Sequence, residues 1–131
     1  MKKIIWVASY PKSGNTWLRA ILTSLFYSKD GIFNFSLLNY INHFDSFERY
    51  KFIKLINIDD YDKINNIEII SKYRIEAQKS FKTDKDFYFF KTHSANIALN
   101  NFKYTNEKNT LGLIYIIRDP RDIVVSYSKY M

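Results

Sequence analysis

Cysteine is absent from this chain of 131 residues. That absence excludes a disulfide scaffold, a cysteine-ligated zinc site and a thiol nucleophile together. Glycine and proline are scarce, at 3 and 2 residues, which excludes collagen, Pro-rich linkers and turn-dense all-β folds built from many short strands. No apolar run approaches the ~18 residues of a membrane span. Ile4 to Ala8, behind Met1-Lys2-Lys3, is too short for the ~7–15-residue apolar core of a signal peptide, and Tyr10-Pro11-Lys12 closes it. A cytoplasmic location is expected.

Hydrophobic residues make up 47% and charged residues 25%, near a soluble globular average. Tyr 11, Phe 11 and Trp 2 amount to 18% aromatic residues, enough to furnish a core. The length suits one domain, residues 1–131. Twenty Lys and Arg against 13 Asp and Glu give a net charge of +7. A basic balance points to anionic partners such as nucleotides, nucleic acid or sulfated and phosphorylated ligands. Lysine-rich, Ile- and Asn-rich composition also follows from AT-rich coding, so charge alone does not choose a function.

Ile4 to Ser9 reads as a strand buried on both faces. Tyr10 to Asn15 is a turn. From Thr16 the period changes to helical, with Trp17, Leu18, Ile21, Leu22, Leu25 and Phe26 on one face. Ser36 and Ser46 are placed to cap short helices over 37–43 and 47–55. A longer helix is expected from Asp60 to about Phe81. Phe87 to Lys91 is an aromatic strand, Asn96 to Thr110 a polar surface loop, and Leu111 to Ile117 a third strand. Asp119-Pro120 follows the pattern of an N-cap with Pro at the first helical position, and Ile123, Val124 and Tyr127 form that helix's apolar face. The fold class is α/β with a parallel sheet flanked by helices.

In such sheets ligands bind outside the carboxyl ends of the strands. Those ends carry Tyr10-Pro11-Lys12-Ser13-Gly14, Thr92-His93 and Arg118-Asp119, so Ser13, His93 and Arg118 should surround one cleft. The first junction joins a turn to a helix N-terminus, whose unpaired N–H groups and partial positive charge suit an anion. Gly14 permits close approach and Lys12 adds a full charge, as in a P-loop. The Walker A order is absent, because Lys12 precedes Gly14, and an ordinary strand-to-helix turn is the plain alternative. Arg118 can present a planar fork to a phosphate, with Ser126 about two turns along. Solvated ion pairs among Arg118, Asp119, Arg121 and Asp122 would explain the same residues. His93 closes the middle strand, where it can act as a general base. His43 has no such company and reads as an ordinary polar histidine. Asp59, Asp60 and Asp62 read as helix-capping residues rather than metal ligands.

Taken jointly, these motifs resemble the sulfotransferases that use 3′-phosphoadenylyl sulfate. Tyr10-Pro11-Lys12-Ser13-Gly14-Asn15-Thr16-Trp17 resembles their phosphosulfate-binding loop. Lys91-Thr92-His93 resembles the Lys-Thr-His of the cytosolic type, and Arg118 to Tyr127 the element that holds the donor's 3′-phosphate. Asn15 stands where many members have Thr. The resemblance implies a P-loop-like three-layer domain. Lys12, Ser13, Gly14, Asn15, Thr16 and Trp17 would wrap the 5′-phosphosulfate, with Trp17 near the adenine. Arg118 and Ser126 would grip the 3′-phosphate, His93 would be the catalytic base, and Lys12 would stabilise the charge of the leaving phosphate. It also implies sulfuryl transfer to a hydroxyl or amine of a small-molecule, lipid or carbohydrate acceptor, release of adenosine 3′,5′-bisphosphate, and no metal. It covers the amino-terminal half of such a domain, so a truncated, inactive and self-associating chain is expected. Two rivals remain. A P-loop nucleotide kinase would need Mg²⁺ and ATP. A basic nucleic-acid-binding module would bind generic oligonucleotides with a steep salt dependence, but no RNA-binding motif supports it and no nucleic-acid partner is expected.

Overall fold

The computed structural model describes residues 3–50, 66–81 and 85–130. In chain order its elements are strand β1 (Lys3–Ser9), helix α1 (Asn15–Tyr27), a 3₁₀ helix (Phe35–Tyr40), α2 (Phe47–Tyr50), α3 (Ile67–Ser71) and α4 (Arg74–Ser80). Strands β2 (Phe87–Thr92), β3 (Ala98–Leu99), β4 (Phe102–Lys103) and β5 (Thr110–Ile116) follow, then α5 (Pro120–Ser128). β1 lies at the centre of a parallel sheet in the order β2-β1-β5. All three carboxyl ends therefore share one edge, as the alternation of elements requires.

The unbroken apolar run of β1 exists because both of its faces are covered. On one face Ile4 and Trp6 pack with Phe44, Tyr50, Tyr88, Phe90 and Tyr104, while Ile70 and Ala77 bring α3 and α4 onto the same cluster. On the other, Val7 and Phe89 meet Leu22 of α1 and Ile41. Each of these large side chains contributes ~1.5–3 kcal/mol on burial. The Trp6 ring meets Phe44 edge-on, with centroids 5.2 Å apart, and its indole N–H donates to Thr110 Oγ1 at 3.1 Å. β5 is one of the two edge strands, with Leu111, Leu113 and Tyr115 exposed.

Four expectations are corrected. The inward line of α1 runs through Asn15, Leu22 and Thr23, with Phe26 against the rings of Phe87 and Phe89. The apolar stripe is wider than the sheet can cover, so Trp17, Ile21 and Leu25 remain exposed. The 3₁₀ helix is capped by Asn34, whose side chain accepts from the Ser36 N–H; the cap lies two residues before the expected Ser36. The helix expected up to Phe81 is divided, because the N–H groups of Lys72 and Tyr73 bond three residues back, to Ile69 and Ile70. Ile70, Arg74 and Ala77 nevertheless stay buried. The Asn96–Thr110 loop contains the β3–β4 hairpin, turned by Asn100 and Asn101 at φ 49 and 68, which is type I′ geometry. It also buries Tyr104 and Asn109.

Asp59, Asp60 and Asp62, the first part of that helix, and the 51–55 portion of the piece after Ser46 lie outside the described residues. Asp119 caps α5 as expected, accepting from the Arg121 N–H with Pro120 in the first turn. The apolar face of α5 is open: Val124 is exposed and Ile123 half-buried. No helix among the described residues is long and apolar enough to cross a membrane.

Candidate functional site

The turn after β1 is built around two left-handed residues, Lys12 at φ 66 and Gly14 at φ 103. Lysine adopts this conformation only at a cost, and here it reverses the chain so that the Ser13 N–H reaches the Tyr10 carbonyl at 3.3 Å. The first turn of α1 carries neither a side-chain cap nor an acidic residue. Its N–H groups and dipole are thus left for an external anion. Ser13 is buried, yet its Oγ has no partner. An orphaned hydroxyl at a helix N-terminus fits an anionic oxygen as its missing acceptor.

Asn15 has a different task. Its Nδ2 donates to the Val7 carbonyl at 3.2 Å and to Ser9 Oγ at 3.1 Å, which ties the start of α1 to the end of β1. The Lys12 ammonium lies over the Tyr130 ring, 3.5 Å from its centroid. Thr16 and Trp17 are exposed, and both line an apolar groove with Leu25, Phe33 and Phe35.

His93 follows β2 directly. Its Nδ1 is 2.7 Å from the Ser9 carbonyl oxygen and 3.4 Å from Ser9 Oγ. A carbonyl only accepts, so Nδ1 carries the proton and Nε2 the lone pair. Burial, with smaller contributions from the Lys91 and Arg19 cations, holds His93 below the ordinary histidine value, against the upward pull of the Ser9 carbonyl. A neutral imidazole with a free Nε2 can accept a proton.

Arg118, just beyond β5, donates from Nη1 to the Lys12 carbonyl at 3.0 Å. It also faces Asp122 at 3.8 Å, and Arg121 pairs with Asp119 at 2.6 Å, so the ion pairs anticipated as the plain alternative form as well. Ser13, Arg118 and Tyr10 line a hollow of about 720 Å³. His93, Ser9 and Tyr10 line another of about 420 Å³. The expected single cleft is thus two hollows at the β1 end, sharing Tyr10 and Tyr115. Ser126 is half-buried on α5 and lines neither.

Two features escaped the sequence. The first is His43, whose ring centroid lies 5.9 Å from that of His93. Backbone pairing brings it there: Lys91 N–H donates to the Asn42 carbonyl and the Phe44 N–H to the Lys91 carbonyl, both at 2.9 Å. Burial and Lys91 lower the His43 pKa while Asp45 opposes them, burial being the largest effect. The second is Asp45, which accepts from Tyr50 and Ser94 at 2.8 Å and pairs with buried Arg74 at 3.3 Å. Neither carries a motif, and only the long-range pairing of residues 42–44 with β2 reveals them. No cluster of His, Asp and Glu suited to a metal occurs among the described residues.

A family model described as a sulfotransferase domain matches residues 2–131. No curated protein and no solved structure matches the chain.

Proposed function

The chain belongs to the sulfotransferase family, and from that premise we propose that it transfers a sulfuryl group from 3′-phosphoadenylyl sulfate to an acceptor hydroxyl or amine, with His93 as general base. One observation carries the reading: the Ser9 carbonyl that ends β1 holds His93 Nδ1, so the base is attached to the strand that leads into the anion-binding turn. The turn supplies Lys12, the Ser13 hydroxyl, the Gly14 backbone and the first N–H groups of Asn15, Thr16 and Trp17 for the 5′-phosphosulfate. Arg118, which lines the same hollow as Ser13, would hold the 3′-phosphate, with Ser126 a further candidate. When bound, the donor supplies an activated sulfuryl group and a phosphate leaving group.

His93 Nε2 takes the proton as the acceptor oxygen forms its bond to sulfur. Lys12 and the α1 N-terminus stabilise the negative charge left on the departing phosphate oxygen. For Lys12 to do so, its ammonium must leave the Tyr130 ring. No metal is required by this scheme.

Calorimetry with adenosine 3′,5′-bisphosphate and with ATP, each with Mg²⁺ or with EDTA, tests it. Metal-independent preference for the bisphosphate is expected. Mg²⁺-dependent ATP binding would favour a nucleotide kinase instead.

A further inference from the structure

A cleft of about 920 Å³ lies beside the His93 hollow and has a different character. Lys79 of α4, Lys103 of β4 and Lys108 line it, against one acid, Glu107. None of the three lysines pairs with an acid among the described residues. The cleft and the His93 hollow share Asn96, Tyr104, Thr105 and Thr110, so the two spaces adjoin along these residues.

Their common wall is rigid. Thr105 Oγ1 donates to Gln78 Oε1 at 2.8 Å and lies 2.7 Å from Thr110 Oγ1, while the Tyr104 hydroxyl donates to Thr92 Oγ1 at 2.7 Å. Gln78 itself is buried and donates to the Tyr104 carbonyl at 2.7 Å. The hairpin strand that carries Lys103 is fixed by the Asn100-Asn101 turn. The paired surface is aromatic and apolar around His93, with Trp6, Leu113 and Tyr115, and polar and cationic beyond the shared residues. Preformed sites of this kind match a ligand's polarity along its length.

We infer that the acceptor is acidic: it presents a hydroxyl at His93 and carries a carboxylate or similar anionic group farther along, held in the Lys79–Lys103–Lys108 cleft. The inference deepens the proposed function and rests on it for the identity of the hydroxyl end.

The probes are ω-(4-hydroxyphenyl)alkanoates of increasing chain length and their uncharged methylamides. Binding to the whole chain is read by tryptophan fluorescence, with and without adenosine 3′,5′-bisphosphate, and sulfuryl transfer is followed separately. Long-chain acids should bind roughly tenfold better than their amides, the sum of three exposed ion pairs, and short ones no better. The triple variant Lys79→Glu, Lys103→Glu, Lys108→Glu should abolish the preference and leave amide binding unchanged. The milder Lys→Gln triple variant should reduce it in the same direction, so the test does not depend on one variant's folding. No acid preference at any length, or one that survives both triple variants, would overturn the inference. If the preference appears and is lost as expected but no sulfuryl transfer occurs, the cleft stands and the transfer reading fails.

Discussion

His93 Nδ1 and the Ser9 carbonyl oxygen, 2.7 Å apart, join the ends of two neighbouring parallel strands through a side chain. The contact fixes the imidazole tautomer and ties the imidazole to the turn that begins one residue later. In the proposed mechanism, proton transfer and anion binding would thereby be mechanically linked, yet chemically separable.

Substitution should separate them. His93→Ala is expected to leave the bisphosphate affinity within about twofold while lowering kcat by ~10²–10⁴, the usual worth of a general base. Lys12→Ala should weaken both, because Lys12 meets charge in the ground state and more in the transition state. Calorimetry and initial rates on both variants check this; equal loss of affinity in the two would refute the division of roles.

The pH dependence follows from the depressed values of His93 and His43, both set chiefly by burial. Each is neutral in the fold at pH 7. Activity should rise as pH climbs through the folded His93 value, below the usual ~6.5, and level off above it. Stability has the same sign, because the unfolded chain binds the extra protons: it is fully present above about pH 6.5 and is lost as pH falls from there through the folded values. Urea titrations at pH 7.5, 6 and 5, with NMR titration of the two histidines, provide the measurement.

Asp45 gathers Arg74, Tyr50 and Ser94, and the Arg74 and Asp45 side chains are only 5% and 11% exposed. Removing one partner strands the other charge. Arg74→Met should therefore cost about 3 kcal/mol of stability, read as a lower urea midpoint with an unchanged slope. A loss under 1 kcal/mol would mean that the remaining hydroxyls satisfy the carboxylate.

Gly14 at φ 103 has nothing within 4 Å of where a Cβ would stand. Its replacement is thus a backbone matter rather than a clash. Gly14→Ala should lose about 1–2 kcal/mol and weaken bisphosphate binding. Full retention of both would show that the turn relaxes without strain.

Much of this arrangement can be read before any coordinates. β1, the turn, α1 and the Asp119-Pro120 cap are local, written in adjacent residues by apolar runs, a glycine and a capping aspartate. The hairpin was also written there, since consecutive asparagines suit a type I′ turn, but its two-residue strands are too short to show a period. What sequence could not supply is long-range. The stripe on α1 is divided between sheet and solvent by how much of the sheet faces it. His43 owes its place beside His93 to pairing across almost fifty residues, and only tertiary structure records that.

The central position of β1 has a consequence for how the chain reaches this state. β1 emerges from the ribosome well before its partners β2 and β5, which lie far downstream. At ~5–20 residues per second, synthesis takes roughly 4–16 s to pass from Ser9 to Phe87. Throughout that interval an apolar strand waits with both edges unsatisfied. The sheet is therefore built on contacts of long sequence separation that form late, and until β2 and β5 have been made the Ile4–Ala8 stretch has no strand to pair with.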